Sequence, residues 1–172
     1  MRMEEAYLQI AGIVRESIVD GPGIRFTVFC QGCPHHCPGC HNPQTHPFDG
    51  GQRAGVSRLV EEIRKNPLLQ GVTFSGGEPF CQAGAFAALA DEVHRLGKDV
   101  FCYSGWTLEE LWQKAETEPD VGELLQKIDY LVDGRFVLSE RDLTLRFRGS
   151  RNQRVLDMKK SRAAGKAVLA EI

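Results

Sequence analysis

The sequence lacks any long hydrophobic run. No stretch of its 172 residues approaches the ~18 consecutive apolar residues that are typical of a membrane-spanning helix. The first five residues, Met1-Arg2-Met3-Glu4-Glu5, contain no apolar segment of the kind that a secretory signal needs. We therefore expect a cytoplasmic protein that makes no contact with a membrane.

A strong excess of one charge is also missing. The chain has 21 Lys and Arg against 23 Asp and Glu, a net charge of −2, so we expect no nucleic-acid partner. The charge is nevertheless uneven: residues 1–134 carry 11 basic against 19 acidic side chains, and residues 135–172 carry 10 against 4. The basic end segment is either a solvated surface or a face for a protein partner.

Internal repeats, low-complexity stretches and linkers are absent from the sequence as well. With 42% apolar residues and a length suited to one hydrophobic core, residues 1–172 are predicted to form a single domain. Thr107 and Glu110 predict a capping box at the start of one helix. Predicted strands alternate with predicted helices; the strands are 7–14, 24–30, 71–75, 99–103, 130–132 and 167–169, and the helices are 56–65, 83–96, 108–115, 121–127 and 158–164.

This alternation predicts an α/β fold with a mostly parallel sheet. A closed eight-stranded barrel takes about 250 residues, so the chain is long enough only for an incomplete (partial) β/α barrel or an open sheet. Active residues lie at the carboxyl ends of the strands in both folds. Four segments follow predicted strands and are expected to meet at one rim: the cysteine loop, Gly76-Gly77-Glu78, Ser104-Gly105 and Asp133-Gly134.

Four of the six cysteines lie within eleven residues, at positions 30, 33, 37 and 40. In a chain without a secretory signal this crowding favours metal binding over disulfides. Cys33, Cys37 and Cys40 can hold a four-iron cluster and leave one iron open for a further ligand.

A second interpretation adds Cys30 to the same ligand set. Four thiolates form a closed site, either a zinc knuckle or an electron-transfer cluster, in a non-enzymatic binding module. Cys30 stands in register with Phe26 and Val28 on an apolar strand, which favours a buried thiol instead. Cys81 and Cys102 are expected to be core thiols.

The segment Cys33-Pro34-His35-His36-Cys37-Pro38-Gly39-Cys40 resembles the CxxxCxxC signature of the radical S-adenosylmethionine (SAM) enzymes. Gly76-Gly77-Glu78-Pro79 resembles their GGE motif, and residues 20–26 resemble the segment before the cluster in glycyl-radical-enzyme activases. Residues 131–134 and 146–154 are similar to the activating proteins of anaerobic (class III) ribonucleotide reductase. The resemblance spans about residues 10 to 157.

This resemblance implies the chemistry. Cys33, Cys37 and Cys40 would hold one [4Fe–4S] cluster, and reductive cleavage of SAM would release a 5′-deoxyadenosyl radical. The radical would take hydrogen from a glycine of anaerobic ribonucleoside-triphosphate reductase, after an electron arrives from a reductant such as flavodoxin or ferredoxin. An alternative partner is another glycyl-radical enzyme, such as pyruvate formate-lyase. The cluster and SAM carry the reaction, so no further catalytic residue is expected.

The resemblance also assigns contacts with SAM. Glu78 would hold the SAM amino group, beside Gly76 and Gly77 of the same motif. Ser104 and Asp133 are expected near SAM for a different reason, because both follow predicted strands at the same rim. Asp133 would contact SAM, the peptide substrate or a bound cation, or it is an ordinary capping residue. Gly39 is also expected to contact SAM, since it occupies the position before the third cysteine, where many radical SAM enzymes have an aromatic residue. His41 is therefore expected to lie near the adenine, whereas His35, His36 and His46 are expected at the loop surface.

One experiment distinguishes the three-cysteine interpretation from the four-cysteine interpretation. Replacing Cys33, Cys37 or Cys40 singly with Ala is expected to abolish stable cluster assembly or SAM cleavage, whereas Cys30→Ala retains both. Iron and sulfide analysis after anaerobic reconstitution, followed by a SAM-cleavage assay, measures this. If Cys30→Ala loses the cluster as fully as Cys37→Ala does, the three-ligand interpretation is wrong.

Overall fold

A computed structural model describes residues 2–172, which contain a seven-stranded sheet and five α-helices. The strands are β1 (Tyr7–Ser17), β2 (Arg25–Cys30), β3 (Gln52–Gly55), β4 (Gly71–Gly76), β5 (Asp99–Tyr103), β6 (Tyr130–Asp133) and β7 (Arg154–Asp157). The helices are α1 (Val56–Arg64), α2 (Ala83–Arg95), α3 (Leu108–Ala115), α4 (Pro119–Leu125) and α5 (Met158–Ala164).

The sheet has the strand order β3-β1-β2-β4-β5-β6-β7. Its four central strands, β2, β4, β5 and β6, are mutually parallel, and the register pairs Phe26 with Val72 and Val72 with Val100. β1, β3 and β7 pair antiparallel with their neighbours. The predicted α/β fold with a mostly parallel sheet is therefore confirmed, and the carboxyl ends of the central strands meet at one edge.

The structure departs from the predicted elements at the sheet margins. β3 and β7 were not predicted, because each is four residues long and acquires its strand conformation by pairing with a longer neighbour. The strand predicted at 167–169 is wrong: Leu169 forms only an isolated bridge with Leu156. The capping box of α3 is confirmed, with Thr107 and Glu110 bonding each other's backbone N–H groups.

One face of the sheet packs against the helices. On α2, Phe86, Leu89 and Val93 recur at helical spacing and are fully buried. The ring of Phe86 lies 4.5 Å, between centroids, from that of Phe74 on β4. This core fixes the central strands and hence their carboxyl ends. None of the helices within residues 2–172 is long and apolar enough to cross a membrane.

A buried arginine holds the amino ends of the strands together on the opposite face. Arg25 begins β2 and is fully buried. Its Nη2 lies 2.5 Å from Oδ1 of Asp99 at the start of β5, and its Nε donates to the hydroxyl of Thr73 on β4 at 2.8 Å. The guanidinium also donates to the carbonyl of Pro22 at 3.0 Å. The guanidinium of Arg25 therefore connects β2, β4, β5 and the loop before β2.

Removing this arginine is expected to destabilise the fold. Arg25→Ala should lower the free energy of unfolding by about 2–4 kcal/mol, because Asp99, Thr73 and the carbonyl of Pro22 lose their buried partner, while the partly exposed Asp99 keeps some solvation. Chemical denaturation of the cofactor-free protein measures the change. Arg64→Ala is the control, since Arg64 is exposed and pairs with an exposed Glu61, and it should cost less than about 1 kcal/mol. Equal losses in the two variants would contradict this account of Arg25.

Candidate functional site

A cavity of about 420 Å³ opens at the carboxyl ends of the central strands. This volume lies within the range of about 300–1,000 Å³ that small-molecule and cofactor sites occupy. Its walls come from the loop after β2, from the ends of β4 and β5, and from the connection between β6 and β7. The shared rim predicted from the sequence is therefore formed.

Cys33, Cys37 and Cys40 all line this cavity. The loop that carries them folds back on itself beyond β2: the N–H of Cys33 donates to the carbonyl of His46 at 3.1 Å, and the N–H of Cys40 donates to that of Cys37 at the same distance. The three thiols thus lie in one loop that backbone hydrogen bonds hold beside the cavity.

Burial and backbone N–H groups act on two of the three thiols. Burial raises the pKa of the Cys33 thiol, and the backbone N–H groups of His35 and His36 lower it by a smaller amount. The N–H of Asn42 donates to Sγ of Cys40 at 3.4 Å. Such donors favour thiolate and cluster sulfur, which carry negative charge.

The donor set fits a cluster with several irons. Within residues 2–172, no three or more His, Cys, Asp or Glu side chains are gathered closely enough to hold one metal ion. A four-iron cluster binds each thiolate to a different iron. Cys33, Cys37 and Cys40 supply three thiols to one cavity.

The other cysteines lie outside the cavity wall. Cys30 and Cys102 are fully buried, and burial raises the pKa of both thiols well above the usual value. The expectation for Cys81 is wrong, because Cys81 is exposed. It lies in the short 3-10 turn Pro79–Gln82, whose buried side chains are Pro79 and Phe80.

Glu78 lies behind the cavity wall and is fully buried. Its carboxylate accepts hydrogen bonds from the N–H of Gly105 at 2.7 Å, the N–H of Phe80 at 3.0 Å and the hydroxyl of Ser104 at 3.0 Å. Nε2 of His35 lies 2.7 Å from the same carboxylate. The sequence predicts that Glu78 contacts the SAM amino group directly. In the structure, the Glu78 carboxylate already has hydrogen-bond partners within the protein.

Gly76 and Gly77 do line the cavity, and both must be glycine for steric reasons. Gly76 has φ = +91°, and a Cβ there would lie 2.6 Å from the backbone nitrogen of Cys30. A Cβ on Gly77 would lie 2.3 Å from the carbonyl oxygen of Gly32. The two glycines therefore let the end of β4 press directly against the start of the cysteine loop.

Two of the remaining predicted contacts line the cavity and two do not. Ser104 and His41 are in the wall. The Asp133 carboxylate is buried and is held by Arg154, with Nη2 at 2.5 Å, and by the N–H of Leu108 at 2.8 Å. Gly39 is outside the wall, where a Cβ would lie 2.8 Å from the Leu138 side chain.

Three aromatic residues of the wall, Tyr103, Phe136 and Phe147, were missed, as were two histidines, His35 and His46. Phe136 lies 5.3 Å from the ring of His41, and the hydroxyl of Tyr103 donates to the carbonyl of Phe147 at 2.6 Å. His35 was expected at the loop surface, but its side chain is only 4% exposed, so that expectation is wrong. Its buried position depends on Glu78, which is 43 residues away, and no local pattern signals such a contact.

Known proteins match most of the chain. Residues 19–156 match the family described as a 4Fe-4S single cluster domain. The anaerobic ribonucleoside-triphosphate reductase-activating proteins of Salmonella typhimurium and Escherichia coli are each 35% identical to it, and each match covers 79% of this chain and 90% of the relative. The chain belongs to the anaerobic ribonucleoside-triphosphate reductase-activating protein family. The family member from Enterobacteria phage T4 is 30% identical over 151 residues, 80% of this chain and 86% of its own.

One solved structure shows a weaker likeness. QueE from Escherichia coli aligns with 59% of this chain and 53% of its own, at 19% identity and a TM-score of 0.48. The family match is far more extensive: residues 19–156 include all three cavity cysteines, the end of β4 and the whole loop between β6 and β7.

The close approach at Gly77 generates a prediction. Gly77→Ala is expected to displace the cysteine loop, since its Cβ would overlap backbone that cannot turn aside. The variant should lose most of its reconstituted iron and melt at a lower temperature. Gly12→Ala is the matched control, because a Cβ at Gly12 has nothing within 4 Å. Iron analysis and thermal melting of both variants measure this, and full iron retention in Gly77→Ala would contradict it.

Proposed function

We propose that this chain is a glycyl-radical-enzyme activase, an oxidoreductase that cleaves SAM reductively and activates anaerobic ribonucleoside-triphosphate reductase. The observation that carries the proposal is the convergence of Cys33, Cys37 and Cys40 on one cavity of cofactor size. Membership of a family whose curated members have that name supports the identity of the partner.

We assign one [4Fe–4S] cluster to the three cavity cysteines, with its fourth iron open to SAM. A cluster held by Cys33, Cys37 and Cys40 would supply the electron for reductive cleavage of a carbon–sulfur bond of SAM, and the resulting 5′-deoxyadenosyl radical would take hydrogen from a glycine of the reductase. The chain's own contribution is to hold the three thiols beside the cavity and to donate the backbone N–H of Asn42 to Sγ of Cys40. The burial of Cys30 behind the wall argues against the four-thiolate alternative.

The cavity wall supplies the proposed SAM contacts. Gly76, Gly77 and Ser104 offer backbone and hydroxyl groups on the side of β4 and β5, and His41 with Phe136 offers rings for the adenine. The other three predicted residues, Gly39, Glu78 and Asp133, support this wall from behind.

The fold leaves room for a protein substrate. We propose that residues 1–172 form a single radical SAM domain with a partial β/α barrel, because β3 and β7 end the sheet without joining each other. An open barrel lets a folded reductase deliver a glycine segment to the cavity, which a closed barrel would obstruct.

The basic segment supplies a docking surface for the reductase. Arg146 and Arg151 are exposed, and the neighbouring Arg148 lines the cavity. Arg154, in the same basic segment, instead pairs with Asp133 and Glu109. Complementary charge near the cavity would orient the partner during its approach. A one-electron donor such as flavodoxin or ferredoxin completes the proposed set of partners.

Anaerobic reconstitution tests the proposed activity. We expect about four irons and four sulfides per chain, cleavage of SAM upon reduction, and a glycyl radical signal when the reductase is added. Zinc in place of iron, or a cluster that is indifferent to SAM, would overturn the proposal.

Neutralising the exposed arginines tests docking separately. The double variant Arg146→Gln/Arg151→Gln is expected to slow glycyl-radical formation and reduce its sensitivity to salt, because long-range attraction weakens. Cleavage of SAM without the reductase should stay unchanged, and Arg64→Gln, on a distant exposed helix, serves as control. If both activities fall together, the arginines serve the fold or the cavity, and if neither changes they are a solvated surface.

A further inference from the structure

Three separate segments of the cavity rim meet at one buried carboxylate. Oε1 of Glu78, just beyond β4, lies 2.7 Å from Nε2 of His35 in the cysteine loop and 2.7 Å from the N–H of Gly105 beyond β5. The hydroxyl of Ser104 lies 3.0 Å from both carboxylate oxygens. The side chain of Glu78 is fully buried and that of His35 is 4% exposed.

The ring of His35 occupies a fitted slot. It packs edge-on against Trp106, with 4.6 Å between ring centroids and an interplanar angle of 75°. On another side it touches Gly105, where a Cβ would lie 2.4 Å from its Cδ2. The adjacent His36 is exposed and contacts only the ring of His46 among the aromatic side chains of the described residues. One of two neighbouring histidines is therefore built into the rim.

The position of His35 links this slot to the cluster ligands. It lies between Cys33 and Cys37 in the chain. Fixing the ring on Glu78 and Trp106 therefore also fixes the backbone between two of the cavity cysteines. The loop cannot shift away from the ends of β4 and β5 without breaking a buried hydrogen bond to a charged group.

A carboxylate offers about four lone-pair sites. His35, Ser104, Gly105 and Phe80 use those of Glu78, so little capacity remains for a ligand. Glu78 therefore acts on the cavity through the groups that it holds.

We propose that His35 is a positioning residue that sets the cysteine loop against the SAM-binding wall by way of Glu78. This inference rests on the proposed function, because it concerns the binding of SAM. In this proposal, the His35–Glu78 hydrogen bond sets the distance across the cavity between the cysteine loop and the ends of β4 and β5.

The test compares His35→Ala, His35→Gln, Glu78→Gln and the double variant His35→Ala/Glu78→Gln, with His36→Ala as the matched control. Anaerobic equilibrium dialysis measures the SAM dissociation constant of each reconstituted protein, and iron content and melting temperature are measured in parallel. His35→Ala is expected to weaken SAM binding about ten-fold with iron largely retained. His35→Gln, whose amide can still donate to Glu78, should recover most of the affinity, and His36→Ala should change it less than two-fold.

The double variant distinguishes a positioning role of His35 from a direct contact between His35 and SAM. If His35 acts through Glu78, the double variant binds SAM no more weakly than the weaker single variant. If the fold-losses in SAM affinity of the two single variants multiply in the double variant, the two residues act independently and the proposal is wrong. Unchanged SAM affinity in His35→Ala would also overturn it.

A second measurement uses cofactor-free protein. The amide proton of Gly105 bonds to Glu78, so its NMR shift should move in His35→Ala and stay unchanged in His36→Ala. An unmoved shift in His35→Ala would overturn the proposal even if that variant failed to keep its cluster. If the parent protein bound no SAM while the Gly105 shift moved as expected, the proposed function would fail and the structural link would stand.

Discussion

The site depends on the need of one buried carboxylate for hydrogen-bond donors. A charge without solvent access costs several kcal/mol unless donors surround it, and Glu78 is fully buried. Its donors come from the cysteine loop and from the ends of β4 and β5, so these segments must stay together for the charge to be tolerated. The cavity that the three cysteines share is the space that this arrangement leaves open.

The glycines allow this arrangement to form. Gly76 and Gly77 bring the end of β4 into backbone contact with the cysteine loop, and Gly105 leaves room for the His35 ring. At the other end of the sheet, Arg25 joins β2, β4 and β5 through a buried guanidinium. The strands are thus fixed at their amino ends by a cation and at their carboxyl ends by an anion, with the α2 core between them.

Sequence patterns predicted those features that local chemistry determines. The alternation of strands and helices predicted the parallel sheet, and Thr107 with Glu110 predicted the capping box. The cysteine spacing predicted the loop that faces the cavity. The side-chain partners could not be predicted, because they join residues far apart in the chain: His35 meets Glu78, and Asp133 meets Arg154. The edge strands were missed for a related reason, since pairing rather than composition defines them.

The proposed activity requires that Cys33, Cys37 and Cys40 hold a cluster whose fourth iron binds SAM. Electron-nuclear double resonance of the reduced cluster, with SAM carrying ¹⁵N in its amino group, measures this contact. We expect a ¹⁵N coupling that appears when labelled SAM is added and is absent with unlabelled SAM. A cluster spectrum that is unaffected by SAM, with no ¹⁵N coupling, would contradict it.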